Sequence, residues 1–215
     1  MVALVVNGTF PKDSNIVDQI RSSEVIIATD GAANSLLKNN ITPHYVVGDL
    51  DSIDSDTQDS VKHTINTPDQ SKTDLEKALE WCVDNNYLSL SIFGISGKSE
   101  DHFLGNFFTI NEFVDQIQCV IYTDYSIITP CVGKNEFDSF AGQTVSLITL
   151  QNHSIVSSTN LEYPLDSYKL APSSKGIRNK SLGTSFIIEC SEPVSYTHLR
   201  AHETRHDLVC RLLLE

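Results

Sequence analysis

Thr64-Ile65-Asn66-Thr67-Pro68-Asp69-Gln70-Ser71-Lys72-Thr73-Asp74-Leu75-Glu76-Lys77-Ala78-Leu79-Glu80-Trp81-Cys82 compresses a strand, a turn and a helix into one short stretch. Thr64 to Asn66 is short and apolar enough for a strand, and Pro68 with Asp69 breaks it. Thr73 followed by Glu76 has the form of a capping box, and Leu75, Ala78, Leu79 and Cys82 recur at i, i+3, i+4 and i+7. The spacing therefore predicts a helix from near Thr73, with the carboxylates of Asp69 and Asp74 at the join.

Working outward, the same alternation repeats. Strands are expected at Ala3 to Val6, Val25 to Ala28, Tyr45 to Val47, Leu88 to Phe93 and Gln118 to Tyr122, with helices between them. This predicts an open, mainly parallel α/β sheet domain over residues 1–124, covered on both faces. After Asp124 the texture changes to short alternating runs such as Val145 to Leu150 and Phe186 to Cys190, punctuated by Gly133, Gly142 and Gly176. A small all-β sandwich domain over 125–194 is the economical reading.

Composition excludes several functions. Lys and Arg total 15 against 28 Asp and Glu, a formal charge of -13, which repels nucleic acid and anionic lipid. No apolar run approaches the roughly 20 residues of a membrane span, and Val2 to Val6 is too short for a signal-peptide core. Five cysteines without a C-x-x-C pair point to a reducing, cytoplasmic setting.

The chemistry-bearing residues follow the expected strands, at the edge where open α/β sheets bind ligands. Thr29-Asp30-Gly31-Ala32-Ala33-Asn34 is a strand-to-helix turn that permits close backbone approach, although Asp30 is equally acceptable as a cap. In Gly48-Asp49-Leu50-Asp51-Ser52, residues two apart in an extended segment point the same way, so both carboxylates reach one cation. The competing reading makes Asp51, Ser52 and Asp54 caps of a helix through Asp56 and Val61. Asp69, Thr73 and Asp74 add oxygens one βα unit later. Carboxylates this close repel unless a divalent cation sits among them. Gly94 to His102 can cradle phosphate with its glycines and Lys98, but Gly97-Lys98-Ser99 is not a P-loop, because Ile92 stands where the first glycine would be.

Taken in order and spacing, Asp30 to Asn34, Gly48 to Ile53, Asp69 to Asp74 and Gly97 to His102 resemble the thiamine pyrophosphokinase family. Val145 to Ile148, Leu161 to Leu165 and Ser173 to Asn179 extend the likeness into the second half. The resemblance implies transfer of the pyrophosphoryl group of ATP to the hydroxyl of thiamine, with Mg²⁺, in a homodimer whose active site lies near the subunit interface. By the same resemblance Asp49, Asp51, Asp74 and Asp101 are the catalytic candidates, and Asp49, Asp51, Asp69 and Asp74 the metal candidates. Asp30, Asn34, Gln70, Thr73, Lys98 and His102 would serve the nucleotide, and Tyr163 with Asn179 would meet thiamine. Two departures stand out: Ser99 where the family commonly has arginine, and Arg178 where it often has serine. A Mg²⁺-dependent phosphohydrolase and a non-catalytic thiamine- or nucleotide-binding module are the alternative functions.

The last residues, 195–215, change character again. They are neutral overall and carry His198, His202 and His206 at i, i+4 and i+8, a spacing that would line one helix face and hold a metal. The stronger reading is a translated vector or adapter read-through, foreign to the fold.

Overall fold

The computed structural model describes residues 1–199. Six parallel strands form its first half: β1 (Val2–Val5), β2 (Val25–Thr29), β3 (Tyr45–Gly48), β4 (His63–Asn66), β5 (Ser89–Phe93) and β6 (Gln118–Tyr122). Their order across the sheet is β6-β5-β1-β2-β3-β4. The chain steps outward from β1 to β4, then returns to the other side of β1 with β5. That reversal leaves a crevice at the carboxyl ends of the central strands.

Five helices cover the two faces: α1 (Ser14–Arg21), α2 (Ala32–Lys38), α3 (Ser55–Ser60), α4 (Asp74–Asp84) and α5 (Glu100–Glu112). Ile16, Ile20, Ala32, Ala33 and Leu36 pack on one face with Ala3, Val5 and Phe93. Leu75, Ala78, Leu79, Cys82, Phe107 and Ile110 pack on the other with Leu4, Ile92 and Ile121. The strand residues thus divide alternately between two cores, as the pleat requires. The cap foreseen at Thr73 is present, its hydroxyl accepting from the Glu76 N–H at 3.2 Å.

β6 continues into the second half through an antiparallel contact with β7 (Ser126–Asp138). There follow β8 (Thr144–Thr149), β9 (Ser154–Thr159), β10 (Tyr168–Leu170), β11 (Asn179–Lys180) and the long β12 (Ser185–Leu199). β12 pairs with β7 along both lengths, with a bulge between Cys190 and Val194. Before the bulge β12 also pairs with β9; after it, β12 pairs with β8. One bent strand therefore belongs to two layers, which close over Val145, Leu147, Val156, Leu170, Phe186 and Ile188.

Ser195 to Leu199, expected from sequence to lie outside the fold, run on as the end of β12. Ser195 and Tyr196 are buried there. These residues pair with β7 and β8 in continuous register, and Tyr196, Thr197 and Leu199 suit a pleated surface. The fit is not complete in polar terms, since Tyr196 Oη and His198 Nδ1 are buried without a hydrogen-bond partner. His198 lies on a strand stacked against Tyr196, not on a helix, and His202 and His206 fall outside the described residues. Cys82, Cys119, Cys131 and Cys190 are buried free thiols. Among the described residues, no helix is long and apolar enough to cross a membrane.

Candidate active site

The crevice at the sheet reversal opens into a cavity of about 550 Å³. Its walls come from the end of β2, from the segments after β1, β3, β4 and β5, and from the N-terminal parts of α4 and α5. Asp49, Asp51, Gln70, Thr73, Asp74, Lys98, Asp101 and His102 all line it, together with Asn7, Lys72 and Lys77. All these groups come from the first half of the chain.

Asp30 anchors the acidic wall. It follows β2, is fully buried, and its Oδ2 accepts the Ser52 N–H at 3.0 Å. Its Oδ1 is buried without a partner. Burial is the main cause that pushes the Asp30 carboxyl up to about 6, and the carboxylates of Asp74, Asp49 and Asp51 add to it against the Ser52 N–H. Gly48 makes this approach possible, because a Cβ there would stand 2.8 Å from the Asp30 Cβ.

Asp49 and Asp51 converge with Asp30, but not in the way an extended segment would bring them together. β3 ends at Gly48, and Leu50 adopts φ 67°, a left-handed conformation uncommon for a branched side chain. The turn swings both carboxylates to one side while Leu50 packs against the core beneath. Strain of this kind persists only where surrounding contacts over-determine it. Asp49 Oδ2 accepts from Gln70 Nε2 at 2.8 Å, and that bond is the chief cause holding its carboxyl below the usual range. Asp51 Oδ1 accepts from the Ser52 hydroxyl at 2.9 Å.

Asn34 acts on this loop from behind: its Nδ2 donates to Ser52 O at 2.8 Å and its Oδ1 accepts from Asp54 N at 3.1 Å. It braces the acidic turn and does not line the cavity. Asp69 likewise turns away, its Oδ1 accepting from the Ser71 N–H at 2.9 Å and hydroxyl at 2.7 Å to close a local turn before α4.

Asp74 opens α4 and is half buried, and burial pushes its carboxyl upward against the pull of Lys77. Lys77 was not singled out in the sequence, yet its ammonium sits 3.2 Å from Asp74 Oδ1 and 3.8 Å from Asp49 Oδ2. The acid-to-base spacing of i to i+3 on an expected helix was the available signal.

The opposite wall is built from the glycine-rich turns. Lys98 Nζ donates to Asn7 Oδ1 at 2.7 Å, and the Asn7 N–H donates to Thr29 Oγ1 at 3.1 Å. Gly8 is required where it stands, since a Cβ there would lie 2.1 Å from Gly94 O. Asp101 is held below the usual carboxylate range by the Ser99 hydroxyl first and the His102 N–H second. The serine that departs from the family pattern thus serves Asp101.

The donor set fits a hard divalent cation. Oxygens of Asp30, Asp49 and Asp51 lie within 4.8 Å of one another, one of them buried and otherwise unpartnered, and carboxylate oxygens are the ligands Mg²⁺ prefers.

Tyr163 and Asn179 lie in the all-β half and do not line the cavity. The Asn179 side chain is spent on the Tyr163 backbone, accepting from its N–H at 3.0 Å and donating to its carbonyl at 2.7 Å. The Tyr163 ring is left exposed.

Comparison with known proteins decides the family. Residues 17–123 match the thiamin pyrophosphokinase catalytic domain, and residues 126–194 match the thiamin pyrophosphokinase substrate-binding domain. The chain belongs to the thiamin pyrophosphokinase family. Thiamin pyrophosphokinase 1 of Caenorhabditis elegans is 28% identical over 186 residues, 79% of this chain and 76% of that one. The Bacillus subtilis thiamine pyrophosphokinase is 33% identical over a shorter 85-residue stretch, 37% of this chain and 40% of that one. In fold, a crystal structure of the B. subtilis enzyme gives a TM-score of 0.77 at 21% identity, covering 94% of this chain and 100% of its own. The thiamin pyrophosphokinase of Candida albicans gives 0.79 at 19% identity, covering 92% of this chain and 89% of its own. Membership in the thiamin pyrophosphokinase family makes the chain an ATP-dependent enzyme of pyrophosphoryl transfer to thiamine, and its catalytic match takes in the acidic wall, the three cavity lysines and Asp101.

Proposed function

We propose that the cavity transfers the pyrophosphoryl group of ATP to the hydroxyl of thiamine, with Mg²⁺ seated by Asp30, Asp49 and Asp51. The hydroxyl oxygen attacks the β-phosphorus as its proton passes to a carboxylate of the cavity wall, the bond from that phosphorus to the oxygen bridging it to the α-phosphorus breaks, and AMP leaves as thiamine diphosphate forms. Bound Mg²⁺ would neutralise phosphate charge that the acidic wall alone repels.

The remaining work falls to the chain's own groups. Lys98 presents an ammonium donor to phosphate oxygens, Lys72, paired with Glu80, adds positive charge to the same wall, and the N-termini of α4 and α5 open on the same space. Gln70 keeps Asp49 turned inward, and Asn34 holds the loop that carries Asp51. Positioning of this sort supplies much of the rate in phosphoryl transfer.

Thiamine is read as meeting Tyr163 and Asn179 of the all-β half. Those residues stand apart from the cavity of their own chain, which supports a homodimer that brings one half against the other across subunits. The exposed Tyr163 ring offers a π face to the cationic heterocycle, an attraction of ~0.5–2 kcal/mol.

The observation that carries the proposal is the convergence of Asp49, Asp51, Asp74 and Asp101 with Lys72, Lys77 and Lys98 around one cavity, with the oxygens of buried Asp30 grouped behind with those of Asp49 and Asp51. Incubation with ATP, Mg²⁺ and thiamine tests it by AMP release, expected only when thiamine is present. Phosphate release without thiamine would mean a hydrolase, and tight binding without turnover a binding module.

A further inference from the structure

Lys77 occupies a helix position that would ordinarily be apolar. It lies in α4 among buried Leu75, Ala78, Leu79 and Cys82, and its side chain is only 3% exposed. A buried ammonium is costly unless paired. It pairs with two carboxylates of the cavity wall, Asp74 and Asp49. The acidic groups thereby fall into two sets: Asp74 is balanced by a lysine already in the fold, while Asp30, Asp49 and Asp51 bring their oxygens together. Asp49 belongs to both.

We propose that Lys77 is a positioning residue that acts as a built-in cation, holding Asp49 and Asp74 toward the cavity before a divalent ion arrives and confining that ion to the Asp30, Asp49 and Asp51 oxygens. The inference rests on the reading of those three groups as a Mg²⁺ seat. It has a consequence opposite to that of an ordinary structural lysine. A fixed positive charge beside Asp49 opposes the incoming ion, so removing it tightens divalent binding even as it loosens the empty site.

Mn²⁺ binding to the whole protein, titrated by electron paramagnetic resonance without nucleotide and paired with thermal melts, tests this. Lys77→Met removes the charge at similar length, Lys77→Gln removes it but keeps an N–H donor for Asp74, and Lys77→Arg keeps the charge. The neutral variants are expected to bind Mn²⁺ at least roughly tenfold more tightly, to melt several degrees lower without metal, and to recover most of that loss when Mn²⁺ is added. Lys77→Arg is expected to follow the parent protein. Lowered melting that Mn²⁺ does not restore, or unchanged or weaker Mn²⁺ affinity, would leave Lys77 a packing residue and overturn the proposal. If Lys77→Met folds only with metal present, that meets the expectation, and Lys77→Gln then supplies the affinity. Failure of the parent protein to bind Mn²⁺ at millimolar concentration would instead overturn the seat itself.

Discussion

The two halves of the molecule spend their polar groups differently. In the α/β half, Asp30 leaves an oxygen buried and unpaired, Leu50 takes a left-handed backbone, and Lys77 is a buried charge. In the all-β half polar side chains mostly close the structure on itself: Asn179 ties down the Tyr163 backbone, the Ser158 hydroxyl accepts the Leu165 N–H, and Ser139 meets Ser181. The first half gathers its costs beside the cavity. The second, apart from Tyr196 and His198 at the end of β12, turns its polar side chains onto its own backbone.

The sharpest way to break that contrast is Asp51→Asn. Asp51 is exposed and its carboxylate accepts from its neighbour's hydroxyl, so the fold should persist while turnover falls by about 10²-fold or more. Retained melting temperature with lost AMP production is the expected pair of readings. An unfolded variant would make Asp51 a structural cap and erase the distinction.

Asn179→Ala probes the other half. It removes both bonds to Tyr163 and should cost about 1–3 kcal/mol in urea unfolding, while raising KM for thiamine more than it lowers kcat. A change confined to KM for ATP would move Asn179 out of the thiamine-facing role.

The cost stored at Asp30 gives a pH signature. Its carboxyl stands near 6 in the folded protein against an ordinary 3.8, so between those values the folded state holds a proton that the unfolded chain has lost. Metal-free stability should therefore fall as pH rises through this window, by up to about 3 kcal/mol. Asp30→Asn should flatten that decline and be the more stable protein above pH 6, and saturating Mg²⁺ should flatten it in the parent chain. Denaturant melts from pH 4 to 7.5 measure all three.

The smallest expected effect is at Tyr196→Phe. Tyr196 Oη is buried without a partner, so removing it should leave stability within about 1 kcal/mol or improve it. A larger loss would mean the hydroxyl is satisfied and that the end of β12 fits its half as well as the rest of the strand does.

Local pattern was enough to place the strands of the first half within a residue or so, the Thr73 cap, and the change of texture after Asp124, because alternation and capping act over a few neighbours. It also marked most of the cavity-lining groups, since strand ends are where a parallel sheet must put them. Three-dimensional packing alone decided that Leu50 bends the acidic turn, that Asn34 braces the Ser52 to Asp54 loop, that Lys77 is buried between two carboxylates, and that β12 bends to join two layers. Each of these depends on what lies across the fold, at separations where Asp30 meets Ser52 and Asp49 meets Gln70 and Lys77. No short window of sequence contains both members of such a pair, so the charge balance of the site became visible only once the chain had folded around it.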